Sequence, residues 1–329
     1  MRFSFIFSVV MAWALCAGAP IARAGQVVEV RQLGNTIEVA VGGQPFAIYH
    51  FDPAVAKPFF MPLRSAQGVI ITRGYPQGNE VPPAHQHEAD LEPHQRSIYF
   101  AHGNIDGIDF WGEAAFPKWS GDSVFGRTKL QKIEEARGGQ ESGVLRALFN
   151  LLSPRGRVIA QERQSFVFRG EEDSRTVDCA IEILADQGAP VTMGDTKEGT
   201  FAIRLIKELN APPARMISSA GGQDEKEIWG KRADWVDYSG RVDGRVVGVA
   251  LFDHPKSFRH PTYWHARGYG LFSANPFALR EFTRDPDQDG NWTIEQGKSL
   301  KFRYRVFIHN GDAAQAHVAE AYRAYAASP

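Results

Sequence analysis

The stretch SLKFRYRVFIH, residues 299–309, decides the fold class. Leu300, Phe302, Tyr304, Val306 and Ile308 alternate with Lys301, Arg303 and Arg305. A period of two puts the apolar set on one face and the cations on the other, which is the pattern of a half-buried strand in an antiparallel sheet. Working outward, the same reading recurs. QVVEVRQLGNTIEVAVGG (residues 26–43) is two alternating runs about Gly34-Asn35, and VLRALFNLLSPRGRVIAQERQSFVFRG (144–170) is two more about Ser153–Gly156. TVDCAIEIL, TFAIRLIKEL and GRVVGVALFDH also read as strands, and Cys179 shares parity with Val177, Ile181 and Ile183, as a buried small hydrophobe would. The clear helix is the tail, GDAAQAHVAEAYRAYAAS (311–328), Ala-rich and with Asp312 placed to cap it. Many short strands and one terminal helix predict an all-β chain: a large antiparallel β-sandwich with a short C-terminal α-helix. No repeat or compositional break divides it.

Residues 1–24 carry a basic start at Arg2, an apolar run from Phe3 to Ala17 and Ala22-Arg23-Ala24, the three parts of a signal peptide. The expectation is a single sandwich domain over 25–329, periplasmic or extracellular, with no membrane insertion after cleavage. The charge balance, 37 basic against 38 acidic residues, argues against a nucleic-acid partner. Gly and aromatic residues suit a surface that binds a carbohydrate ligand.

Candidate chemistry gathers in a few places. HQRSIYFAHG (94–103), read as a strand, puts His94, Arg96 and His102 on one face, with Gln95 turned away. YWHARGYG (263–270) does the same for His265, Arg267 and Tyr269. Two such His-x-Arg pairs suit proton exchange beside cations that hold oxygens or a carboxylate. GDTKEGTFAIRL (194–205) adds Glu198 beside Lys197, and Arg204. Trp229, Trp235, Trp264 and Tyr238 are candidate stacking platforms or core. The expected catalytic set is His94, His102, His265 and Glu198; the substrate-binding set is Arg96, Arg204, Arg267, Tyr269, Trp264 and Trp235. His85-x-His87 is a candidate metal pair in a Pro- and acid-rich segment that also reads as a polar loop. DPDQDGNWTIEQ (285–296) resembles a calcium loop but has Gln296 at its twelfth position, so an exposed acidic loop is expected.

The stretches PLRSAQGVIITRGYP, PHQRSIYFAHGNIDGIDFW, GDTKEGTFAIR, WGKRADWVDYSG and DHPKSFRHPTYWHARGYGLFSANPF together resemble the PmoA-like family of secreted bacterial proteins, in order from about residue 45 to 310. The family has His-His-Arg-Ser where this chain has His94-Gln95-Arg96-Ser97. The family label borrows the name of a methane monooxygenase subunit, a protein of spanning helices. This chain has no long apolar run after its first residues, so the resemblance does not imply that activity. It implies a fold similar to the aldose-epimerase supersandwich and work on carbohydrates. The leading functional expectation is a carbohydrate-active enzyme with hydrolytic, lyase or epimerase chemistry, His/Glu acid-base groups and Arg clamps. The alternatives are a non-catalytic carbohydrate-binding protein and a metal-dependent enzyme using His85 and His87. No cofactor is required by the first reading; a divalent metal is required by the last.

Overall fold

The structure, a computed structural model, describes residues 25–74, 92–115 and 124–329. The expected signal segment, residues 1–24, and the His85-x-His87 pair lie outside the described residues. Two eight-stranded sheets face each other. In spatial order the first holds β1 (Val28–Leu33), β2 (Thr36–Val41), β3 (Gln44–His50), β4 (Phe59–Leu63), β5 (Ile98–His102), β11 (Gly199–Arg204), β16 (Leu271–Asn275) and β15 (Tyr263–Ala266). The second holds β12 (Arg215–Ser218), β13 (Trp235–Val242), β14 (Arg245–Asp253), β18 (Ser299–Asn310), β9 (Ser174–Leu184), β8 (Val158–Gly170), β7 (Gly143–Leu152) and β6 (Arg127–Arg137). β10 (Val191–Met193) and β17 (Trp292–Ile294) form a separate pair. The ladders between these strands are antiparallel, as the alternating runs predicted.

Local sequence explains the hairpins. Gly42 and Gly43 both take positive φ, 59° and 75°, between β2 and β3. That is the type I′ geometry whose twist matches the flanking strands. In β18 the residues Phe302, Tyr304, Val306 and Ile308 are buried in the inter-sheet core. On the outer face Arg305 sits opposite Asp178 of β9 and forms an ion pair with it. Cys179 is buried in the same core.

The outer faces of the two sheets are used differently. On the second sheet, Trp235, Phe252 and Phe307 are covered by the C-terminal helix α3 (Val318–Ala326) through Tyr322 and Tyr325. Asp312 accepts from the Ala314 and Gln315 amides at 3.1 and 3.0 Å and caps the turns that lead in; the helix itself starts later, at Val318. Two short helices that the apolar pattern did not indicate, α1 (Glu225–Ile228) and α2 (Leu279–Thr283), lie in the loops between strands. On the first sheet, Phe59, Met61, Tyr99, Trp111, Ala202 and Leu271 form a smaller apolar layer. Loops cross over that layer and enclose the candidate site.

Candidate functional site

Cross-strand register sets the floor. Tyr99 of β5 pairs with Ala202 of β11, Ala202 with Ser273 of β16, and Ser273 with His265 of β15. Strand alternation turns this row outward and turns Phe100, Phe201, Phe272 and Trp264 into the core. The residues just before β5, the loop after it and the Thr196–Glu198 turn into β11 close over the row. They leave a polar cleft of about 220 Å³ bordered by His94, Gln95, Trp111, Glu198, His265 and Tyr269, among others.

His265 is 3 % exposed, and its Nδ1 lies 3.0 Å from the Lys197 carbonyl oxygen. A carbonyl can only accept, so Nδ1 carries the proton. Burial, then the Arg267 charge beside it, lowers the ring's pKa to about 3. The imidazole is therefore neutral at physiological pH, and Nε2 keeps its lone pair as an acceptor. His94 is pushed down to about 3 by burial and then by Lys57, with Arg73 and Arg96 adding to it against Glu113. Its Nδ1 is buried without a hydrogen-bond partner among the described residues.

Beneath His94 lies a buried ion cluster. Arg96 Nε donates to Glu113 Oε1 at 2.8 Å, Arg96 Nη2 to Glu113 Oε2 at 2.5 Å, and Lys57 Nζ lies 3.1 Å from Glu113 Oε1. Lys57 also donates to the Trp111 carbonyl. The cluster fixes the wall that carries Trp111, and Lys57 and Arg96 hold the Glu113 carboxyl below its usual range despite burial. In the same wall Asp109 Oδ1 accepts from the Trp111 and Gly112 amides, each at 2.8 Å. That carboxylate is occupied by its own loop.

Glu198 is different. It is one-third exposed, with Lys197 Nζ 3.4 Å away, and Lys197 is shared with Glu281. Burial raises the Glu198 pKa against the pull of Lys197. Tyr269 is pushed up to about 12, chiefly by burial, and stays a neutral phenol. The Arg204 guanidinium stacks on its ring at 4.6 Å. Arg267 Nη1 donates to Glu225 Oε1 at 2.7 Å, and Glu225 Oε2 accepts from the Gly268 amide at 2.7 Å.

The structure thus brings His94, His265, Glu198, Arg267 and Tyr269 to one cleft. It places the other expected residues elsewhere. His102 faces the core: its Nε2 donates to the Gly194 carbonyl at 2.8 Å, and its ring packs on Phe277. Arg96 is committed to Glu113 below the cleft, and Arg204 supports Tyr269. Trp264 is in the core, its indole donating to Ala233 at 2.9 Å, because alternation puts it opposite His265. Trp235 lies under α3 on the far sheet, and Tyr238 is in the core.

The expected strand through His94 also begins later. β5 starts at Ile98; residues 93–94 are a turn, 95–96 are irregular and Ser97 is a bend. Parity therefore does not govern residues 94–97, and Gln95 lines the cleft with His94 instead of facing away. Glu92, which the sequence reading assigns to an exposed acidic lead-in, borders the cleft, and that reading passes over Asp109, Trp111 and Glu113. The last three lie in or beside the family-like stretch GNIDGIDFW, the one signal that pointed at them. Among the described residues no three His, Cys, Asp or Glu side chains group as a metal site, the loop at Asp285 included. There Asp285 and Asp289 accept amides of their own loop.

Residues 36–323 match the model of a family of unknown function, DUF6807. The chain belongs to that family. This DUF6807 member has no significant match among curated proteins. Among solved structures it is similar to an α-galactosidase from Lactobacillus brevis (8 % identity, TM-score 0.38, 88 % of this chain and 40 % of that one). It is also similar to a galactose mutarotase-like protein from Clostridium acetobutylicum (11 %, 0.35, 87 % and 99 %). A third likeness is to a galactose mutarotase-related enzyme from Lactobacillus acidophilus (9 %, 0.31, 87 % and 97 %). The chain spans about two fifths of the α-galactosidase. At these identities and scores the likenesses say nothing of substrate or chemistry. No helix among the described residues is long and apolar enough to cross a membrane.

Proposed function

We propose that the cleft is the active site of a carbohydrate-active enzyme whose chemistry is proton transfer on a sugar, as in epimerases and lyases. The observation that carries the reading is the meeting of two neutral imidazoles, His94 and His265, with a carboxyl of raised pKa, Glu198, in one polar cleft. Groups whose environments push their pKa values apart are the signature of acid/base assignment. Glu198, whose raised pKa makes its carboxylate the stronger base of the two, takes and returns the proton, and His265 Nε2, unprotonated, accepts a hydrogen bond from the sugar hydroxyl beside it. Arg267, oriented by Glu225, and the neutral Tyr269 phenol hold sugar oxygens. Two free carboxylates across a glycosidic bond, the usual hydrolytic arrangement, are less well supported, because Asp109 is engaged by its own loop and Glu92 accepts from Gln95. Of the expected stacking platforms, Trp235, Trp264 and Tyr238 are packed in the interior, which leaves a purely binding role Trp229 alone of that set.

The test is a panel of aldoses, glycosides and uronides incubated in heavy water. Proton resonance would follow anomer interconversion or solvent exchange, and ultraviolet absorbance would follow elimination. Removing a general acid or base costs about 10²–10⁴ in rate, so Glu198→Gln should lower kcat by that order with KM little changed, and His265→Gln should lower it too. Turnover at the wild-type rate in both variants would sink the proposal. Export to the periplasm or beyond is part of the same reading; a mature protein that retains residues 1–24 would contradict it.

A further inference from the structure

A second hollow, of about 640 Å³, adjoins the cleft. It is lined by Lys226, Trp229, Lys231, Arg267, Phe282 and Arg284. Two residues join it to the cleft. Arg267 lines both, and the Trp229 ring meets the His265 ring edge to face at 6.4 Å. Trp229 is held edge-on by Phe282 at 5.2 Å, with the Arg267 guanidinium 5.8 Å from its centroid, and its indole nitrogen is buried without a partner among the described residues.

The two spaces differ in charge. The cleft sets Glu92, Asp109 and Glu198 against Lys197 and Arg267. The hollow sets Lys226, Lys231, Arg267 and Arg284 against Glu225 alone. Both Glu225 oxygens are already taken, by Arg267 and by the Gly268 amide. Lys226, Lys231 and Arg284 are exposed, and no ion pair within the described residues neutralises them.

The spaces differ in size as well. Pockets for drug-sized ligands run from about 300 to 1,000 Å³. The cleft falls below that range and suits one sugar ring; the hollow has room for more.

Resting on the active-site reading above, we infer that the substrate is an oligosaccharide with an acidic unit. Its reacting, uncharged ring lies in the cleft, and a neighbouring unit bearing a carboxylate or sulfate lies in the hollow against Trp229 and the lysine–arginine lining. An aromatic ring of this kind offers a face for a sugar. Exposed cations attract an anion over roughly 8–10 Å at moderate ionic strength, and they set selectivity more than raw affinity.

The experiment is calorimetric binding to the full-length mature protein, with three probes of equal length: a neutral oligogalactoside, an oligogalacturonide and a sulfated oligogalactoside. At low salt the best acidic probe should bind about tenfold more tightly than the neutral one, and added salt should erode the difference. The ratio of acidic to neutral affinity should fall to within about twofold in the triple variant Lys226→Ala/Lys231→Ala/Arg284→Ala, whose exposed side chains are not needed for folding. Which acidic probe wins identifies the anion. Equal affinity for neutral and acidic probes, or a ratio untouched by the triple variant, overturns the inference. In either of those cases Glu198→Gln still decides the active-site reading by itself. If none of the three probes binds, the inference falls, while the active-site reading is decided by turnover on the panel of aldoses, glycosides and uronides.

Discussion

Glu113→Gln is the most informative perturbation of the cleft wall. The carboxylate is 3 % exposed and accepts two bonds from Arg96 and one contact from Lys57, cations that are 4 % and 1 % exposed. The amide keeps the shape and removes the charge, leaving two buried cations without their shared partner. Breaking a buried pair from one side costs about 3–5 kcal/mol. With an unfolding entropy of about 2.1 cal/mol/K per residue, a chain of about 300 residues loses about 1.6 °C of Tm per kcal/mol, so Glu113→Gln should melt about 5–8 °C below wild type. Lys57 also ties down the Trp111 carbonyl, so ligand affinity should fall alongside stability.

The pH dependence has a definite sign. The folded Glu113 pKa is lowered, so its contribution is present above the unfolded carboxylate pKa and lost as pH falls through the folded value. The wild-type advantage over the variant should therefore shrink in acid. Thermal and urea unfolding at pH 7 and pH 4 measure both effects. A variant within about 1 kcal/mol of wild type at pH 7 would refute the claim that this cluster holds the wall.

Three further outcomes follow from the same geometry. His94 and His265, with pKa values lowered to about 3 by burial, should stay neutral from pH 8 down to about pH 4–5 by imidazole resonances; their stabilising effect is full above the unfolded histidine pKa and fades by about 1.4 kcal/mol per pH unit for each ring below it, and a titration near 6.5 for either would remove it from the buried set. Gly199→Ala would put a Cβ 2.5 Å from His102 Nδ1, so overpacking should cost about 1–3 kcal/mol and displace the adjacent Glu198, lowering turnover; an unchanged melting curve would contradict it. Elemental analysis with a chelator challenge addresses His85 and His87: the expected outcome is no stoichiometric metal and no loss of turnover, and a metal lost together with activity on His85→Ala would revive the metal-dependent reading.

Much of this protein was legible in its sequence because the information was local. The two-residue period of residues 299–309 identified both β18 and the side of it that faces the core, and the Gly-Asn and Ser-Pro-Arg-Gly turns placed two hairpins. The same rule, applied strictly, would have separated Trp264 from His265, since neighbours in a strand cannot share a face. It misled at His94–Ser97, where a turn stands in place of the assumed strand and brings Gln95 onto the face that parity denied it.

Alternation and turn chemistry act over a few residues, so the fold class, the hairpins and the terminal helix follow from local pattern. Which histidines border one cleft depends on how distant strands are ordered. His94 and His265 are 171 positions apart, and only the order β5–β11–β16–β15 carries His265 to the cleft that His94 borders. The fates of similar residue types diverged for the same reason. Arg96 became a buried partner of Glu113 and Arg267 a cleft residue, because burial and charge pairing depend on which strands and loops end up side by side, and no local pattern records that.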